Sequence, residues 1–168
     1  MPYVTPTTRS TGDLITAAIW NQDVVDNQTA AFPLGVGAWT TYTPDLEQNN
    51  VAVTKTVTRA TYMRVGRTVW VHVQLAVTGT GTAAQRIDVG LPVTAAFGSN
   101  ACIGSGYLFD TSATTNYPFV VLVLAGGTQV AFLPTSTDQA NFLGSGVFTA
   151  ALASGDNITF TATYEAAT

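Results

Sequence analysis

A chain of 168 residues, 46% apolar and only 10% charged, holds enough material for one well-buried domain with an appendage and too little for two domains of ordinary size. Six Lys and Arg against ten Asp and Glu leave a net charge of −4, which argues against a phosphate-tracking surface and so against nucleic acid as partner. The single cysteine, Cys102, excludes an internal disulfide, and the absence of any run of about 20 apolar residues excludes a helical membrane span.

The opening MPYVTPTTRST is polar and carries two prolines, so residues 1–11 are expected to run as an extended arm. It lacks the apolar stretch of a secretory signal, and a soluble product of a cytoplasm is expected. Next comes GDLITAAIWN, in which Thr16 suits the N-cap of a helix over Ala17–Asn27. Ile15, just before the cap, Ile19, Trp20 and Val24, with Val25 half a turn away, make an apolar face, while Asn21, Asp23, Asp26 and Asn27 fall on the wet side. A helix of this length is marginal alone in water, so the stripe needs a partner. Leu14, Ile15, Ile19, Trp20 and Val24 are therefore the candidate attachment or oligomerisation residues. The break FPLGVGA, residues 32–38, separates the N-terminal unit 1–31 from a head over 39–168.

From Trp39 onward the apolar period is two, with turn residues every eight to twelve positions, the pattern of an all-β fold. An antiparallel, jelly-roll-like β-sandwich is expected, preceded by the arm and one short helix. The clearest strand is 68–77, with Val69, Val71, Val73, Leu75 and Val77 on the core face and Trp70, His72, Gln74 and Ala76 on the other. It pairs with 59–65 through a hairpin at Val65-Gly66-Arg67. Further strands are expected near 51–58, 86–91, 100–109, 117–124, 128–133, 145–152 and 157–164, with 78–84 a mobile loop. The runs 101–103 and 119–124 are apolar on consecutive positions. They call for cover on both faces, from a neighbouring subunit or from the helix.

The chemistry-bearing residues are few. His72 is the only histidine, and Gly104-Ser105-Gly106 and Gly144-Ser145-Gly146 lie in strand context rather than at a strand-to-helix turn, so no nucleophile elbow is expected. Zinc needs more His and Cys than the chain has. Asp110-Thr111-Ser112 and Ser154-Gly155-Asp156-Asn157 could offer oxygens to calcium but read as turns. The acidic residues are too scattered for a glycosidase pair. No catalytic, cofactor-binding or metal-binding residue is assigned, and no cofactor is expected. Lys55, Arg59, Arg64 and Arg67 cluster in sequence, which allows a small basic patch, but they read first as solvated strand and turn positions. Trp70, His72 and Tyr117 are candidate surface-binding residues, since strand aromatics fill interfaces or stack on sugars. A surface poor in charge favours self-association.

Three stretches resemble a known group. Thr11 to Asn21 is similar to the G-x-x-[IL]-T-A-x-x-W-N segment that opens tailed-bacteriophage fibre and virion surface proteins. Trp39-Thr40-Thr41-Tyr42-Thr43-Pro44, Tyr62 to Val71 and Val89-Gly90-Leu91-Pro92-Val93 resemble the small jelly-roll heads of such proteins. The resemblance implies a virion protein, assembled in the host cytoplasm, that is a homotrimer displaying β heads. Its N-terminus would contact the major capsid protein or another virion protein. With only about six residues between helix and head, a capsid decoration or short head-fibre protein fits better than a long tail fibre. The other readings are a receptor-binding head of a tail fibre or tail tip that recognises a host surface glycan or protein, and a glycan-active enzyme or lectin unrelated to phage.

Overall fold

The computed structural model describes residues 8, 10–28, 39–97, 101–135, 142–143 and 148–167. Most of the arm, the 32–38 break and the second Gly-Ser-Gly lie outside the described residues.

Thr16 caps the helix as its sequence predicts: its Oγ1 accepts the Ile19 N–H at 3.3 Å, and α1 spans Ala17–Trp20. The helix then widens into a π-helical stretch over Asn21–Asp26. Its polar side differs from expectation, because Asn27 is buried and Asp23 and Asp26 are half-buried.

The rest is β: β1 Thr40–Thr41, β2 Leu46–Gln48, β3 Val51–Ala52, β4 Lys55–Val65, β5 Thr68–Val77, β6 Ile87–Gly90, β7 Cys102–Asp110, β8 Thr115–Val123, β9 Gln129–Pro134 and β10 Asn157–Glu165. They form one ten-stranded antiparallel sheet in the order β1-β4-β5-β10-β7-β8-β9-β6-β2-β3, curled about the core. The chain steps from β3 at one edge to β4 at the far end through Val53 and Thr54 alone. The Val53 N–H donates to the Leu46 carbonyl (2.8 Å) on the β2 side, and the Thr54 carbonyl accepts the N–H groups of Thr78 (2.9 Å) and Gly79 (3.1 Å) on the β5 side, so this two-residue link joins the two ends of the sheet. The all-β fold with one short helix is as expected; jelly-roll connectivity is a finer statement than this strand order supports.

Local chemistry explains the hairpins. Gly66, at φ +58, is the first residue of the two-residue β4–β5 loop, and only it is left-handed, as a II′ turn requires. Asn49 (φ 62) and Asn50 (φ 56) are both left-handed and close the β2–β3 hairpin as a I′ turn. The strand expected at 51–58 instead divides: Val51–Ala52 form β3, and residues 55–58 merge with those expected at 59–65 into β4, with a bulge between Val57 and Arg59.

All five expected core residues of β5 are at most 2% exposed, each contributing about 2 kcal/mol of burial. Ile158, Phe160, Ala162 and Tyr164 of β10 face the same core. Phe132 stacks on Phe119 at 4.2 Å between ring centroids and tilts against Phe160 at 5.5 Å. Gly106 sits in register between Phe119 and Phe160, and a Cβ there would lie 2.6 Å from that of Phe160. The two glycines of Gly104-Ser105-Gly106 are thus packing devices.

Two expectations near this core change. Residues 148–152 form no strand. Leu143, Phe148 and Leu152 instead plug the core, each at most 1% exposed, and residues 145–147 of the expected strand lie outside the described residues. The 78–84 loop is pinned rather than mobile, and buried Gln48 ties Thr82 and the flanking Gln85 to the segment around 150–152. Its Nε2 donates to the carbonyls of Gln85 (3.0 Å) and Ala150 (3.5 Å), and its Oε1 accepts the N–H groups of Thr82 and Leu152, both at 3.0 Å. Gly81 and Ala84 add backbone bonds to Leu152 and Thr149. Leu122 and Ala131, on the side of the sheet away from the β5 valines, are also buried within the single chain, so the consecutive apolar run by itself requires no second subunit.

Candidate attachment and binding surfaces

The N-terminal helix and the two residues before its cap expose what a solitary protein would bury. Leu14 is 80% exposed, Ile15 53%, Trp20 56% and Val25 46%, while Ile19 and Val24 are half-buried. Among the described residues the helix has no more than marginal contact with any strand. Thr16 fixes the start of the helix, so Ile15 stands just before the cap and Trp20 one turn after it, the two positions that share one side of a helix start.

The strand candidates do not converge. Trp70 and His72 lie on the outward face of β5, Trp70 between Met63 and Thr163 and His72 between Thr61 and Thr161. Tyr117 lies on β8, three strands further on, and faces the core rim, edge-on to Phe148 at 5.3 Å. It packs against the core instead of joining the other two. Partial burial and nearby Arg59 hold the His72 pKa below its ordinary value, so the ring is neutral near pH 7. Ser105 shares the outward face with His72 but two strands away, about 10 Å, beyond the reach of a nucleophile and base. Arg67 pairs with Glu165 at 3.1 Å and donates to the Ala166 carbonyl, which takes it out of any basic patch.

The two turns weighed for calcium come together. Asp156 Oδ1 accepts the Thr111 N–H (3.1 Å) and its Oδ2 the Ala153 N–H (2.9 Å), while Thr111 Oγ1 donates to the Gly155 carbonyl at 2.6 Å. Asp110 Oδ1 accepts from the Ser112 N–H and hydroxyl and from the Ala113 N–H. Burial would raise the Asp110 pKa, but these bonds outweigh it and hold the carboxyl below its usual value. Both carboxylates are spent on turn geometry. Among the described residues, no three His, Cys, Asp or Glu side chains are grouped as metal ligands. No helix among them is long and apolar enough to cross a membrane.

A polar pocket was not visible in the sequence. Asn49, Asn50, Gln85, Arg86 and Asp88 line a surface depression of about 150 Å³ at the tip of the β2–β3 hairpin. Arg86 grips buried Asp88 in a two-pronged fork, Nε to Oδ1 at 2.7 Å and Nη2 to Oδ2 at 2.9 Å, and lies 5.6 Å from the centre of the Phe142 ring. The only sequence signal was Arg86 and Asp88 two apart, hence on one face of a strand.

No known protein family, curated protein or solved structure matches the chain.

Proposed function

We propose that the chain is a non-enzymatic structural protein of a bacteriophage virion, a homotrimeric capsid decoration or head-fibre protein whose N-terminal segment grips the particle and whose β head is displayed. One observation carries the reading: Leu14 and Ile15, just before the helix cap, and Trp20, on the helix, are bare, and among the described residues that helix makes no more than marginal contact with any strand, while the head buries its own core. Exposed apolar side chains on a short helix mark a surface made to be covered, and the covering partner here is a virion shell protein. The similarity of Thr11–Asn21 to the opening segment of virion surface proteins points the same way.

The test is the composition of the particle. Quantitative mass spectrometry of virions purified from the encoding phage should find this chain in numbers comparable with the shell subunits. A handful of copies would move the protein to a tail tip, and its absence from virions would end the proposal.

A further inference from the structure

We propose that the depression at the β2–β3 hairpin tip is a binding site for a single neutral sugar ring. Its volume of about 150 Å³ is that of one pyranose, well below the several hundred Å³ of drug-sized pockets. The site is held from three directions. The Asn49 N–H donates to the Arg86 carbonyl at 3.1 Å, Gln48 bonds the Gln85 carbonyl from the core side, and the Asp88 fork and the Phe142 ring fix the guanidinium. The backbone and guanidinium that frame the site are thus ordered before a ligand arrives, which limits the entropy lost on binding to the amide side chains.

The chemistry selects the ligand class. Asp88 neutralises Arg86 and occupies its fork, so an anion would have to compete with a buried carboxylate for the guanidinium. What remains are three side-chain amides, those of Asn49, Asn50 and Gln85, with no hydrogen-bond partner among the described residues. Each amide offers donors and an acceptor side by side. Neighbouring sugar hydroxyls, which both donate and accept, complement that arrangement. Asn at both left-handed turn positions keeps the I′ geometry and also presents two amides at the rim, which glycine would not.

The test is an NMR titration of the isotope-labelled full chain with glucose, galactose and mannose and, separately, with N-acetylneuraminic acid. At least one neutral hexose should shift the side-chain amide signals of Asn49, Asn50 and Gln85 saturably, with millimolar affinity. The double variant Asn49→Gly/Asn50→Gly preserves the turn, and its thermal midpoint serves as the folding control. It should bind that hexose at least about tenfold more weakly. Gln85→Ala, which leaves the bonded Gln85 carbonyl in place, should weaken binding in the same direction. No saturable shift with any neutral hexose, a response to the acidic sugar alone, or undiminished binding by the folded variants would overturn the proposal. Such a failure leaves the attachment reading untouched, because that reading does not involve the pocket.

Discussion

Gln48→Leu should lower the thermal midpoint by roughly 8–16 °C. The substitution keeps the volume but strips four hydrogen bonds at once, orphaning the carbonyls of Gln85 and Ala150 and the N–H groups of Thr82 and Leu152. At about 1 kcal/mol for each unsatisfied group the loss is about 4 kcal/mol, and a chain of this size loses roughly 2–4 °C per kcal/mol. Differential scanning calorimetry measures it. A midpoint unchanged within about 2 °C would mean that the loop over 78–84 and the core plug hold without the amide.

Gly104→Val should cost about 3 kcal/mol, whereas Ser105→Ala, one residue on, should change stability by less than about 0.5 kcal/mol. A Cβ on Gly104 would run into the carbonyl oxygen of Thr161 and lie 2.8 Å from the Ala162 Cα. Both are backbone atoms of β10, so relief requires prising two central strands apart. Ser105 is exposed on the outward face. Chemical denaturation of the two variants separates this packing role from a nucleophile's, which would give the larger functional cost to the serine. Equal stability of the two variants would remove the packing account.

What could be read from the sequence was what repeats at short range. The five alternating residues of β5 identify themselves, because period two on a valine-rich run leaves one face apolar whatever its neighbours are. Thr16 as a cap and Gly66 as a turn residue are equally local. Gln48 was illegible for the opposite reason. It is a lone amide in a three-residue strand, and its partners lie 34 to 104 positions away. The pocket fails for the same reason, since it joins a turn at 49–50 to residues 85–88 through sheet pairing. Tyr117 was misplaced because alternation fixes which residues share a face but not which face is inside; Phe119, buried two residues on, settles it. The consecutive apolar residues of β8 suggested a second subunit because sequence cannot show how far a single sheet curls.

The claim on which the account turns is that the first thirty residues grip a shell while the head stands alone. It is tested most directly by removing residues 1–30 and measuring both the thermal midpoint and the recovery of the chain on purified virions. The account predicts a head that melts within about 2 °C of the full chain and is absent from particles. A truncated chain that still decorates virions, or one that fails to fold, would contradict it.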